Sequence, residues 1–533
     1  MSDFYGLMKQ NQDNVSYTEN GMQGYKSSGT ELVDFNFAIA SYRGNKEKAA
    51  SDFKKIAAAG ESYILKFLFY VRDVREGVGE RDLFRDCLLE LLKYDFEDKD
   101  HVVDVIIEQT PEYGRWDDLL PLLETKFAGK VIAFIKKTLK EDVAKHKEGK
   151  SVSLLAKWLP SENASSAKTK EYARIIREGL GASPREYRKT LSMLRAHIDV
   201  TEVKTCANQW GEIDYNAVPS KANLKYKNAF LRHDETRRRE FLAKVNSGDQ
   251  SVKVNASVTF PHEIVAQYAS GRYYSVGPYD DALEAYWKAL KPCVGLNDTI
   301  VVRDGSGSME SPIGSSRVTA LSVSTALAIY CSQFLKEGFK DKFITFSSRA
   351  KLVDLSDKGS LHSKLVRTYK EGDCSNTNIE NVFELILDTA VESNLGPADL
   401  PSTVMVISDM EFDAGSGGWH GMNGGSNVFK AMSAKFKQHG YALPKLVFWN
   451  VNSRTNTIPC RFNDNGVLLI SGFSPNILKM VMNGETDPYK ALIKELDGSR
   501  YEKIPLITFA PAHAEAPADA KVKKEFTPGF LGD

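Results

Sequence analysis

Two rhythms of apolar residues divide this chain. Between residues 31 and 294 they recur at helical spacing. In ESYILKFLFYVRDV, Ile64, Leu65, Leu68, Phe69 and Val71 nearly follow a 3.6-residue period, and ERDLFRDCLLELLKY repeats the pattern after the glycine-bearing break REGVGE. HVVDVIIEQ, WDDLLPLLETKF, KVIAFIKKTLKEDVAKH, KEYARIIREGL and PREYRKTLSMLRAHI continue it. Short amphipathic helices joined by brief polar turns must bury their stripes against one another, so stacked antiparallel pairs are expected, an α-helical repeat. No fixed period is visible along the sequence, which points to an irregular array.

From residue 295 to about 508 the grammar changes. Apolar runs of strand length (TIVVRD, KFITFS, STVMVISDME, KLVFWNV, GVLLISG) alternate with helical segments such as RVTALSVSTALAIYCSQFL and NIENVFELILDTAVE. Parallel strands need helical crossovers, so this alternation predicts a parallel-rich α/β sheet with ligands held outside the carboxyl ends of its strands. Residues 1–30, rich in Asn, Ser, Gln and Gly, are expected to be a flexible arm, and residues 509–533, rich in Ala and Pro, a disordered tail.

Composition narrows the partners. The 533 residues carry 70 basic and 70 acidic side chains, so no whole-chain field attracts nucleic acid or an anionic membrane; a nucleic acid would have to be held by a local patch. The opening stretch lacks the basic and apolar regions of a secretory signal, and no apolar run approaches the roughly 20 residues that cross a bilayer. The six cysteines are scattered without a CxxC pair. A cytoplasmic, reduced protein with no membrane partner is expected, and no small-molecule substrate suggests itself.

Candidate chemistry begins where the first strand of the α/β half ends. In TIVVRDGSGSM, Asp304, Ser306 and Ser308 form D-x-S-x-S across glycines 305 and 307. A carboxylate and two hydroxyls on one tight turn can aim their oxygens at a single point, as a hard divalent cation requires. Thr377 stands at a helix start in SNTNIENVF, and a second strand ends in Ser408 and Asp409. A phosphate-cradling loop is excluded because G-x-x-x-x-G-K-[ST] is absent, and a nucleophile elbow because position 304 is Asp where G-x-S-x-G needs Gly. A structural turn remains the plain alternative. Glu411 and Asp413 read as part of a solvated loop, and the following DAGSGGWHGMNGGSNV, with Trp419 and His420, reads either as a connector or as a rim beside the site.

This constellation resembles the metal-ion-dependent adhesion site of von Willebrand factor A domains, a Rossmann-like α/β fold. The resemblance spans residues 295–508, and its pattern falls on Asp304, Ser306, Ser308, Thr377 and Asp409. It implies a divalent cation, Mg2+ first with Mn2+ or Ca2+ as alternatives. The coordination position left open would be filled by an acidic residue of a protein partner, which is binding and not catalysis.

Local basic patches do occur. Lys168, Lys170, Arg174, Arg177, Arg185, Arg188, Lys189 and Arg195 crowd residues 165–195, with Lys170, Arg174 and Arg177 on one helix face. KANLKYKNAFLRHDETRRREFLAK adds Lys221, Lys225, Lys227, Arg232, Arg237, Arg238 and Arg239 with Tyr226 and Phe230 between them. Such residues neutralise phosphates and stack on bases, although charge runs are more often solvated faces. Residues 63–88, YILKFLFYVRDVREGVGERDLFRDCL, resemble the helical module of the Ro autoantigen (TROVE) family, and the order of helical repeat followed by A-type domain is shared. That resemblance implies a HEAT-like solenoid or ring over residues 31–294 that binds noncoding RNA as a ribonucleoprotein and is not an enzyme. A metal-dependent interaction scaffold without RNA is the competing reading. Arg72 and Arg75 read alternatively as helix-end charges paired with Asp73, Glu76 and Glu80.

Overall fold

The computed structural model describes residues 4–268, 275–293, 295–296, 298–314, 316, 318–346, 349–372, 375–414, 428–460 and 466–510. The chain forms two compact units, each discontinuous in sequence. One takes residues up to 59, 219–227 and 239–498; the other takes 60–218, 228–238 and the segment from 499.

The first unit is built on strands. A hairpin of β1 (Val15–Tyr17) and β2 (Gln23–Tyr25) precedes a six-stranded sheet of β3 (Thr299–Asp304), β4 (Lys342–Phe346), β5 (Ala350–Asp354), β6 (Thr403–Ser408), β7 (Lys445–Asn450) and β8 (Val467–Ser471). Its order is β5-β4-β3-β6-β7-β8. All pairs are parallel except the edge pair β4/β5. The chain runs outward from β3 through β4 and β5, then returns to place β6 on the other flank of β3. The carboxyl ends of β3 and β6 therefore meet at the topological switch point, where an open α/β sheet binds ligands. The crossover from β3 to β4 uses helix Ala320–Ser332, buried on every face, which accounts for its unbroken apolar and small-residue composition.

Residues 14–59 correct two expectations. The N-terminal stretch is no loose arm over its described length: Phe4–Asp13 is helical, and the hairpin's Tyr25 exchanges backbone hydrogen bonds with Ile458, 2.8 and 3.0 Å. A Cβ on Gly24 would lie 2.5 Å from the Ile458 carbonyl oxygen, so only glycine lets the strands approach. Nor does the division fall at residue 294, since Met22, Val33 and Phe37 lie in the same core cluster as Val302, Phe383, Val406 and Phe448. Asn36 Nδ2 donates to the Leu469 carbonyl (3.4 Å), and Asn450 Nδ2 donates to that of Phe37 (2.7 Å). Burying those carbonyls obliges polar side chains to answer them.

The second unit is helical. Helix Ile64–Arg72 packs on Arg81–Leu91 and on Lys99–Tyr113, and helix Ala128–Lys147 packs on Lys99–Tyr113, Ala167–Leu180 and Pro184–His197. The last follows its sequence signals closely: Ser183 and Glu186 form a capping box, Pro184 opens the first turn, and Tyr187, Leu191 and Leu194 are buried. In REGVGE the backbone folds back on the helix before it, with Val78 N donating to the Tyr70 carbonyl (3.0 Å) and Glu80 N to that of Val71 (2.8 Å).

The charges around that break are structural, and their partners differ from those expected. Arg72 is buried and pairs with Asp118 (2.7 Å), which also receives Arg85 (2.7 Å). Asp73, also buried, receives Arg500 (2.7 Å), while Arg75 faces Glu112 (3.5 Å). Arg500 arrives from a segment expected to close the α/β domain. Residues 499–510 belong to the helical unit because Tyr501 stacks on Tyr113, Ile507 N donates to the Ser62 carbonyl, and Ala510 N donates to that of Asp95.

Buried ion pairs cost most when one partner is lost. Asp118→Asn is expected to destabilise the protein by about 3 kcal/mol or more in urea unfolding, whereas Arg75→Ala, at an exposed pair, should cost under about 1 kcal/mol.

Candidate functional site

At the carboxyl end of β3, the Asp304 side chain turns into the protein and is fully buried. Its Oδ1 accepts from Ser306 N (2.8 Å) and its Oδ2 from Ser408 Oγ (2.5 Å), which ties the β3 turn to the end of β6. Gly305 keeps that turn against β4: a Cβ there would stand 3.2 Å from Thr345 Oγ1 and 3.4 Å from the Phe346 carbonyl oxygen. Ser306 Oγ lies 3.1 Å from Ser308 Oγ. After β6 the backbone turns sharply, with Met410 in the left-handed region at φ 65°, a costly conformation for a non-glycine residue. Ser408 Oγ accepts from Met410 N (2.9 Å), and Asp409 Oδ1 accepts from Glu411 N (3.3 Å), which fixes the turn.

Asp409 is the unsatisfied member. It is fully buried, its Oδ2 accepts no hydrogen bond among the described residues, and Arg454 Nη1 stands 3.7 Å away. Burial and the Asp304 carboxylate push its pKa up to about 7, against the nearby Ser308 hydroxyl and the Arg454 charge. Burial raises that of Asp304 too, opposed by Ser408, Ser306 and Arg303. Two carboxylates that resist ionising, an orphaned oxygen and two neighbouring hydroxyls suit a hard divalent cation. Asp304, Ser306, Ser308 and Asp409 would hold it. Among the described residues no group of three or more His, Cys, Asp and Glu side chains converges, so a site here depends on hydroxyl oxygens.

Thr377 is brought to the same end of the sheet, but through intermediaries. Its backbone N donates to Asp413 Oδ2 (2.9 Å), its carbonyl accepts from Asp413 N (2.9 Å), and its hydroxyl accepts from Asn20 Nδ2 (3.5 Å). Asp413 is thus a half-buried brace, not a solvated loop residue. Glu411 departs further from expectation. Fully buried, its Oε1 accepts from Ser453 Oγ (3.1 Å), Arg454 N (2.8 Å) and Thr455 N (3.0 Å), and its Oε2 accepts from Glu19 N (2.9 Å). Sequence reading missed Glu19, Asn20, Glu411 and Arg454. Only Arg454 carried a usable signal, since it follows β7, which neighbours β6, and strand carboxyl ends gather at one edge. Trp419, His420 and the rest of residues 415–427 lie outside the described residues.

The predicted basic residues divide by their partners. Lys168 pairs with Glu124, Arg177 with Glu162 (2.6 Å), Lys221 with Glu263 and Arg237 with Asp234 (2.9 Å). Arg174 reaches Glu178 at only 3.9 Å. Arg195 donates to the carbonyls of Ala156 and Leu159 (both 2.8 Å). Lys170, Arg185, Arg188 and Lys189 in the helical unit are exposed and make no ion pair among the described residues, and neither does Arg232. Lys225, in the sheet unit, lies over the Tyr226 ring. In residues 128–197, 16 Lys and Arg face 7 Asp and Glu, a local excess of nine in a chain that is neutral overall.

Residues 298–524 match a family described as a domain of unknown function, DUF7788, and residues 130–290 match another, DUF2828. The uncharacterized protein L728 of Acanthamoeba polyphaga mimivirus is 29% identical over 524 residues, covering 91% of this chain and 87% of that protein. The crystal structure of the Deinococcus radiodurans Ro (RSR) protein is similar with a TM-score of 0.48 and 15% identity, over 86% of this chain and 100% of that one. Among the described residues no helix is long and apolar enough to cross a membrane.

Asp304→Ala is expected to abolish Mg2+ or Mn2+ binding; stoichiometric metal retained by that variant refutes the assignment. Glu411→Gln puts an amide NH2 among donors and should lower unfolding stability by about 2 kcal/mol or more.

Proposed function

We propose that this protein binds noncoding or structured RNA through the basic faces of its helical unit, and that the sheet unit is a von Willebrand A-type domain holding a divalent cation. The observation that carries the RNA reading is the exposed set Lys170, Arg185, Arg188 and Lys189, without an ion pair among the described residues, within a stretch of strong positive excess. Cations already neutralised by carboxylates contribute little to phosphate binding, so Lys168, Arg177, Lys221 and Arg237 serve the fold first. Arg232 extends the set within the helical unit. The resemblance of residues 63–88 to the Ro helical module supports the same reading, although Arg72 and Asp73 of that segment are spent on buried ion pairs.

In this reading the protein is cytoplasmic and is not an enzyme. The hydrogen-bond partners of Asp304 are Ser306 and Ser408, and that of Asp409 Oδ1 is Glu411 N; on this reading the two carboxylates serve to hold an ion. The orphaned Asp409 Oδ2 favours one second reading, a metal-dependent scaffold that accepts an acidic residue of a protein partner through the cation.

RNA-binding isotherms at several salt concentrations separate the two. Wild-type protein should show a steep log–log slope, and Arg185→Glu with Arg188→Glu should weaken binding and flatten the slope by roughly 1.5, with Lys168→Ala changing little. Absent or salt-insensitive binding sinks the RNA reading. The scaffold reading instead predicts a protein partner lost with Asp304→Ala and indifferent to the Arg185 and Arg188 changes.

A further inference from the structure

The N-terminal hairpin reaches the cation-binding end of the sheet with a charge of its own. Its turn is stitched down on both sides: Thr18 Oγ1 donates to the Phe412 carbonyl (2.6 Å), Asn20 Nδ2 to that of Glu411 (2.7 Å), and Ala414 N to that of Asn20 (3.1 Å). Between Thr18 and Asn20 stands Glu19, whose Oε2 lies 2.7 Å from Arg454 Nη2. The other arm of that guanidinium, Nη1, stops 3.7 Å from Asp409 Oδ2. The backbone N–H groups of Glu19 and Arg454 both donate to the Glu411 carboxylate, at 2.9 and 2.8 Å. One buried anion thus holds the two residues in register.

Arg454 is therefore a cation suspended between two carboxylates, with a full ion pair to the more exposed one. The buried one keeps an oxygen that accepts no hydrogen bond among the described residues. A guanidinium that closed on Asp409 would complete that oxygen's bonding and place positive charge where a metal ion must sit. We infer that Glu19 and Arg454 are a positioning pair that sets divalent-cation affinity. Glu19 holds the guanidinium off Asp409 Oδ2 and so leaves that oxygen to the metal. The inference rests on the cation reading of Asp304 and Asp409, and it couples metal occupancy to the seating of a hairpin some 390 residues away in sequence.

A double-mutant cycle read by Mn2+ titration of the full chain, with free Mn2+ followed by electron paramagnetic resonance, tests it. Glu19→Gln should raise Kd about tenfold and Arg454→Met should lower it; the double variant should bind as tightly as Arg454→Met alone. Glu19→Asp, which keeps the charge but loses reach, should behave like Glu19→Gln. A Glu19→Gln loss of equal size with and without Arg454 makes Glu19 a simple through-space charge and overturns the proposal. So does a wild-type affinity that neither substitution moves. A folded wild-type chain that takes up no Mn2+ overturns the cation reading itself, and the coupling falls with it.

Discussion

Carboxylates gathered at the ends of β3 and β6 are the constraint on which the sheet unit depends. Asp304, Asp409 and Glu411 are fully buried within three residues of the two strand ends, and a buried charge must be answered or it destabilises the fold. Each is answered differently. Asp304 takes a backbone amide from its own turn and a hydroxyl from β6. Glu411 takes the N-terminal hairpin and the segment after β7. Asp409 keeps an oxygen open. The hairpin at Glu19 and the residues around Arg454 converge because Glu411 draws donors from both, and the loop at Thr377 is held beside them by Asp413 and Asn20. Asp409 Oδ2 is the exception, with no hydrogen bond among the described residues and Arg454 Nη1 3.7 Å away.

The helical unit solves the same problem with arginines. Asp73 and Asp118 are buried and are met by Arg500, Arg72 and Arg85. That use of charge commits Arg72 and Arg85 of residues 63–88 to the buried Asp118, whereas Arg75 and Arg81 stay exposed. Helices Ala167–Leu180 and Pro184–His197 bury Ala173, Ile176, Tyr187, Leu191 and Leu194 on one side and present Lys170, Arg185 and Arg188 elsewhere, so the apolar stripe that packs each helix also fixes its basic face outward.

Legibility followed the range of the interactions. The capping box at Ser183, the stripe through Leu194 and the apolar runs of β3 and β6 are local patterns, and each reads directly from the sequence. So does the D-x-S-x-S turn, whose hydroxyls and carboxylate do lie together. The polar stretch 14–30 looked unstructured because its partners are Glu411, Phe412 and Ile458, and no local pattern records them. Glu411 looked solvated for the same reason. A charge run cannot show that Glu124, Glu162 or Glu263 arrives to neutralise part of it, and a C-terminal Arg500 gives no sign that Asp73 awaits it.

The central claim is that RNA is the ligand of the helical unit, and it is tested most directly in the native cell. Ultraviolet crosslinking followed by sequencing of the recovered RNA and mapping of the crosslinked peptides would place the contact. The account predicts a discrete set of noncoding RNAs crosslinked to peptides from residues 167–197. Recovery of protein partners with no RNA, or crosslinks confined to the sheet unit, would contradict it.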